Sequence, residues 1–289
     1  MLDVRGVPPL DYVIGHLPGA VHLSEQALRG PLDGRLPFQI WPADLLAREF
    51  SAAGVPPSGT NGSVLVYSDG ANVLGATLAA YALEKSGVPR IGVLDGGFAA
   101  FNSSSKDKIT KAFPKFESTK FEPKTVDGLA ISLEEILKLL PQVGNASSNS
   151  SSNGKAVIVD PRPRALYEGT SDSTFIRPGH IPGAINLPWQ LFTEAENANA
   201  VGGKNPHKLK SEAELRKIFE SRGVTPDKTV IISCSTGRES TLQFLILKHV
   251  LNYPDVRIYE GSWVEWSAAK NTPAEVGPDR SVGSGAVSS

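Results

Sequence analysis

The chain repeats itself, and this constrains its fold more than any other feature. The stretch Gly15–Val21 (GHLPGAV) returns as Gly179–Ile185 (GHIPGAI), 164 residues later. Val64–Ser68 (VLVYS) is echoed by Val230–Cys234 (VIISC), and Leu94–Phe98 (LDGGF) by Tyr259–Trp263 (YEGSW), at offsets of 166 and 165. Asp3-Val4-Arg5 matches Asp160-Pro161-Arg162 at an offset of 157, the shortfall fitting a longer loop in the second copy. Four matches in one order at nearly one spacing define a tandem duplication. Whatever this sequence folds into, it does so twice within 289 residues.

Each copy has the same grammar. Ala156 to Asp160 is a continuous apolar run, as expected of a strand buried on both faces. A Gly/Pro turn follows, then a polar helix over Ser211 to Arg222 and a second apolar run over Thr229 to Ser233. A tight loop leads to an apolar-faced helix over Glu239 to Leu251 and a third strand over Val256 to Tyr259. Strand alternating with helix at this spacing predicts an α/β fold, each domain a parallel sheet flanked by helices. The chain opens on what reads as the end of a strand, so the N-terminal domain is expected to lack its first strand. The predicted organisation is a cysteine-free domain over 1–105, a wrapping linker over 106–130, a second domain over 131–275 and a flexible tail over 276–289. Ser132 with Glu135 reads as an N-cap and capping box opening the second copy. The Asn/Ser-rich stretch 145–154 reads as a mobile surface loop.

The apolar fraction of 40% is ample for two cores, and a net charge of −1 gives no electrostatic case for nucleic acid or an anionic membrane. The longest apolar stretch, near Leu242 to Leu251, is too short to span a bilayer. The N-terminus carries no signal or transit pattern, which predicts a cytoplasmic protein, with a mitochondrial one if the N-terminus is incomplete.

There is one cysteine, Cys234, which excludes an internal disulfide and any multi-cysteine metal site. A lone cysteine is by default a small buried hydrophobe. Here it directly follows an apolar strand and precedes Ser235-Thr236-Gly237-Arg238-Glu239 and a helix. The C-terminal end of a strand in an open α/β sheet is where ligands bind. The amides of such a turn and the helix N-terminus favour an anion, so the thiol is expected to be acidified to a thiolate, with Arg238 as a nearby cation. In the first copy the matching segment, Tyr67-Ser68-Asp69-Gly70, has no sulfur. That copy is expected to keep the fold without thiol chemistry.

Taken together, Asp160-x-Arg162, Gly179–Ala184, Cys234–Glu239 and Tyr259–Trp266 resemble the tandem-domain rhodaneses, which include thiosulfate and 3-mercaptopyruvate sulfurtransferases. The resemblance implies two rhodanese-like domains, the second catalytic, with Cys234 taking a sulfane sulfur as a persulfide. The sulfur then passes to cyanide or a thiol, in two half-reactions with ping-pong kinetics. The loop amides of Ser235, Thr236, Gly237, Arg238 and Glu239 would hold the persulfide anion. It implies no metal or organic cofactor, small-molecule donor and acceptor partners, and a monomer.

The chain departs from the family at the loop. Thr236 stands where thiosulfate enzymes are basic and mercaptopyruvate enzymes carry serine, and Arg238 and Glu239 replace small neutral residues. The donor-gripping arginine expected in an Arg-aromatic-x-Gly segment is absent from Leu166-Tyr167-Glu168-Gly169. Arg164, Arg177 and Arg238 are the candidates to replace it. Thiosulfate is the expected donor, with 3-mercaptopyruvate the first alternative and a non-catalytic binding module the second. A related Cys-x5-Arg phosphatase would need arginine at position 240, which is Ser240. His16 and His180 are read as structural hydrogen-bonding residues, Asp160 and Arg162 as a structural pair, and Trp263 and Trp266 as core with Glu265 solvated.

Overall fold

The computed structural model describes residues 1–6, 8–31, 36–57, 60–69, 73–105, 108–143, 155–171, 175–194 and 208–279. The loop expected over 145–154 and the tail beyond Asp279 lie outside them. The chain divides into two compact units, Met1–Asp127 with Phe192–Lys210, and Gly128–Leu191 with Ser211–Ser289.

In the first unit, strands β1 (Leu2–Asp3), β2 (Val21–His22), β5 (Val64–Tyr67) and β6 (Ile91–Val93) form a parallel sheet in the order β2-β1-β5-β6. Strands β3 (Arg29–Gly30) and β4 (Gln39–Ile40) pair separately as an antiparallel hairpin. Helices α1 (Leu10–Ile14), α2 (Ala43–Ala52), α3 (Val73–Lys85) and α4 (Gly97–Ser104) fill the connections. In the second unit the sheet is β8 (Ile185–Asn186), β7 (Ala156–Asp160), β9 (Thr229–Ile232) and β10 (Val256–Ile258), again all parallel and in the same order. Helices α5 (Leu133–Leu139), α6 (Arg164–Glu168), α7 (Glu212–Glu220), α8 (Ser240–Leu245) and α9 (Ser262–Ala268) accompany it. No helix among the described residues is long and apolar enough to cross a membrane.

The duplication extends to individual bonds. Asp3 pairs with His22 across β1 and β2 in the register in which Asp160 pairs with Asn186 across β7 and β8. Arg5 grips Asp3 through Nε and Nη2 and donates to the Gly15 carbonyl, as Arg162 does with Asp160 and Gly179. The Tyr12 and Tyr167 hydroxyls donate to Ala20 and Ala184 carbonyls, and each ring stacks on the histidine of its His-x-Pro-Gly turn. His16 and Thr110 exchange backbone hydrogen bonds, as do His180 and Glu275. The His16 and His180 rings bond Tyr12 and Tyr167 carbonyls through Nδ1, so both are structural as expected. Leu2–Asp3 occupies the last two positions of the central strand, where the second unit has five residues. Ahead of that strand the second unit also has Leu129–Ile131 bonded along β10, and α5 behind it.

The elements follow from sequence. Strand β7 is buried at all five positions, consistent with its unbroken apolar run. The Ser132 hydroxyl and Glu135 side chain form the expected capping box on α5. A second box, Ser211 with Glu214, opens α7. Helix α8 is shorter than predicted, because from Ile246 to Val250 the chain continues as a π-helical turn. Of the stretch expected as a linker, residues 108–127 belong to the first unit, with Phe121 buried and Thr119 and Lys124 donating to Ser51 and Ser86 carbonyls.

Candidate active site

Strand order β8-β7-β9-β10 reverses direction between β7 and β9, the switch point at whose carboxyl end ligands bind in open α/β sheets. Two segments leave the sheet there: Asp160–Arg162 after β7, and Cys234–Glu239 between β9 and α8. Gly237 has φ of 82°, and a Cβ there would stand 3.1 Å from the Glu260 carbonyl oxygen, so glycine is needed for the loop to close against Glu260.

Cys234 is wholly buried. Its amide donates to the Ser262 hydroxyl at 3.2 Å, its carbonyl accepts from Trp263 at 3.0 Å, and its Sγ lies 3.9 Å from Ser262 Oγ. Ser262 itself donates to the Tyr259 carbonyl. Its φ of 50° is one of two positive values at non-glycine positions among the described residues. The equivalent residue in the first unit is Gly97, at 58°. A side chain there costs about 1–2 kcal/mol of backbone strain, so the second unit tolerates strain to put a hydroxyl against its cysteine. The Phe98 amide donates to the Ser68 carbonyl as Trp263 does to Cys234, which places Ser68 at the cysteine's position in the first unit.

Burial shifts the free thiol in the direction opposite to the acidification expected from the loop. Burial, then the Glu239 carboxylate beside and hydrogen-bonded to the sulfur, push the Cys234 thiol from 9.0 up to about 12; the Ser240 hydroxyl and amide pull weakly the other way. Loop amides and a helix N-terminus do not offset full desolvation plus an adjacent negative charge. The cation coupled to both sulfur and Glu239 is Arg162, across the switch point. Its side chain is buried, ion-paired with Asp160 at 2.6 Å, and its Cζ lies 5.1 Å from the Trp263 ring centroid. Arg162 Nη1 and Glu239 Oε2 are buried without a hydrogen-bond partner among the described residues.

The remaining candidates separate. Ser235, Thr236, Arg238 and Glu239 are half-buried around the buried Gly237. Arg177 donates to the Ser267, Trp266, Ala269 and Thr272 carbonyls and the Thr272 hydroxyl, clamping the C-terminus of α9. Arg164 is 74% exposed and paired with Glu168 at 2.6 Å. Trp263 and Trp266 are core residues as expected. Glu265 is half-buried beside the Tyr259 hydroxyl rather than solvated. Ser262 was legible only by noticing a serine where the duplicate has glycine.

Fold and site define a duplicated α/β protein in which one copy keeps a buried cysteine in a strand-to-helix loop. A profile described as the rhodanese-like domain matches residues 1–104 and 146–269, and the chain belongs to that family, in two copies. It is 52% identical over 97% of its length to a Synechococcus elongatus protein named "Putative thiosulfate sulfurtransferase", covering 81% of that protein. It is 31% identical over 92% of its length to the 3-mercaptopyruvate sulfurtransferase of Escherichia coli, covering 85% of it. Among solved structures, EanB carrying a cysteine persulfide in a tetrahedral intermediate state with ergothioneine superposes with a TM-score of 0.76 at 21% identity. That match covers 96% of this chain but 65% of the EanB chain, and it speaks for the fold alone.

Proposed function

We propose that this protein is a sulfurtransferase that takes a sulfane sulfur from thiosulfate onto Cys234 and passes it to cyanide or a thiol. The observation that carries the reading is the sole cysteine at the switch point, in the loop that the family places there, on a chain 52% identical to a protein named for thiosulfate. Attack by the Cys234 sulfur on the outer sulfur of thiosulfate forms one S–S bond and breaks another, with the electron pair leaving on sulfite. The acceptor then removes the outer sulfur and regenerates the cysteine, which is covalent catalysis in two halves. Amides of the 235–239 loop and the Arg162 guanidinium supply fixed positive potential for the persulfide anion. A monomer acting in the cytoplasm on small-molecule donors and acceptors accords with this chemistry.

Mercaptopyruvate is the second donor to test, because Thr236 puts a hydroxyl where the mercaptopyruvate enzymes carry serine and the E. coli relative is named for that substrate. Intact-protein mass spectrometry after incubation with each donor tests the proposal. A gain of one sulfur, reversed by cyanide and absent in Cys234→Ser, supports it, and the faster donor names the substrate. No gain from either donor on folded protein refutes the sulfurtransferase reading in favour of a binding module.

A further inference from the structure

The unit that carries the cysteine has a cavity of about 310 Å³ that the sulfur chemistry leaves unused, between the start of α5 and the turn after β10. Three carboxylates line it, Glu134 from α5, Glu260 from the turn and Glu265 from α9, and no lysine or arginine does. The remaining wall is largely apolar, from Ala130, Ile131 and Leu133. Tyr259 forms the floor: it is 1% exposed, and its hydroxyl is buried with no hydrogen-bond partner among the described residues. We propose that this cavity binds an alkylammonium ion, presented either by a free amine or by the lysine side chain of a partner protein.

The lining selects the ligand. Buried polar atoms are ordinarily paired, so an orphaned hydroxyl on the floor of a cavity marks a place for a ligand atom. Carboxylates with no basic side chain among them create a negative potential that favours a cation. A metal ion does not fit, because among the described residues no three acidic, histidine or cysteine side chains converge closely enough to hold one. An alkylammonium fits both halves of the wall. Its N–H groups donate to the phenol oxygen and the carboxylates, while its methylenes lie against Ile131 and Leu133. A Cβ at Gly261 would collide with Glu265 Oε2, so glycine there is what lets this carboxylate fold over the turn. The duplicate serves as a control: at the 165-residue offset Leu94 and Ala100 stand in place of Tyr259 and Glu265. The copy without the cysteine therefore has neither the phenol nor the α9 carboxylate. The same turn also backs the cysteine loop, since Gly237 closes against the Glu260 backbone and Ser262 accepts from the Cys234 amide. A cation bound to Glu260 and Glu265 would hold that turn from its far side.

Isothermal titration calorimetry of the full chain with n-butylamine tests the proposal, with n-butanol as its neutral counterpart. Saturable binding of the amine is expected, with the alcohol bound at least about tenfold more weakly, the scale of one hydrogen bond to a charged group. Tyr259→Phe and Glu265→Gln should each weaken amine binding by about tenfold or more. Tyr259→Phe removes a hydroxyl that has no partner, so its urea midpoint should stay at or above the wild-type value, which separates lost binding from lost fold. Nα-acetyl-lysine methylamide distinguishes the sources. Binding as tight as n-butylamine assigns the site to a lysine of a partner protein, and exclusion of the larger probe assigns it to a free amine. No saturable binding of n-butylamine overturns the proposal. So does n-butanol binding as tightly, or Tyr259→Phe binding the amine as tightly as wild type, which would reduce the effect to attraction by surface charge. The readout does not involve Cys234, so failed sulfur loading leaves this site standing and failed amine binding leaves the sulfurtransferase reading untouched.

Discussion

Replacing Cys234 by serine should change how stability depends on pH, with a sign that separates a buried thiol from a thiolate. Burial and Glu239 lift the thiol from 9.0 to about 12. Between those values the unfolded chain sheds the proton and the folded chain keeps it. The folded state is therefore favoured fully below the unfolded value and loses that advantage as pH rises toward the folded one, by about 1.4 kcal/mol per unit. Serine does not titrate in this range. The stability difference between wild type and Cys234→Ser should be constant through neutral pH, then shift against the wild type by about 1.4 kcal/mol at roughly pH 10 and about 2.7 kcal/mol at roughly pH 11. The tyrosines whose hydroxyls are also raised, Tyr12, Tyr67, Tyr167, Tyr253 and Tyr259, are present in both proteins and cancel. Equilibrium urea denaturation read by tryptophan fluorescence is the assay, since Trp263 and Trp266 are buried in the unit that carries the cysteine. A difference that stays flat past pH 10, or turns in favour of the wild type, refutes the reasoning, because a folded-state thiolate would stabilise the native protein as pH rises.

Asp160→Asn leaves Arg162 buried with half its ion pair, and should cost about 3–5 kcal/mol in denaturant unfolding; a loss under about 1 kcal/mol would show that the pair is not desolvated. Ser262→Gly relieves left-handed strain while removing the hydroxyl on Cys234, so stability should stay within about 1 kcal/mol of wild type. Sulfur loading in that variant should slow about tenfold, and unchanged loading would remove Ser262 from the site. Arg177→Ala frees the carbonyls at the end of α9 and should destabilise by about 2–3 kcal/mol. Arg164→Ala, at an exposed ion pair, should change stability by no more than about 0.5 kcal/mol; equal effects at the two positions would contradict their placement.

Much of the fold was legible because its signals are local. Repeated HxPG turns, unbroken apolar runs at Ala156–Asp160 and Thr229–Ile232, and the Ser132–Glu135 box each follow from a few adjacent residues whose backbone preferences tertiary contacts reinforce. The strand-then-cysteine-then-helix order placed Cys234 at the carboxyl end of a strand, and the same reasoning correctly read the histidines and tryptophans as structural.

What the sequence alone determined, then, is the duplication, the α/β class and the position of the single thiol, because spacing and hydrophobic period are properties of the chain itself. Tertiary structure decided the burial of the thiol, the partners of each arginine and the contact between Ser262 and Cys234. Arg177 and Arg162 look alike as residues near a motif. Only the folded chain shows that one caps α9 while the other, paired with Asp160, leaves the strand next to the one that carries the cysteine. A favourable loop argued for a thiolate, but desolvation and the carboxylate of Glu239 act through space, and their sum depends on burial that no local pattern encodes.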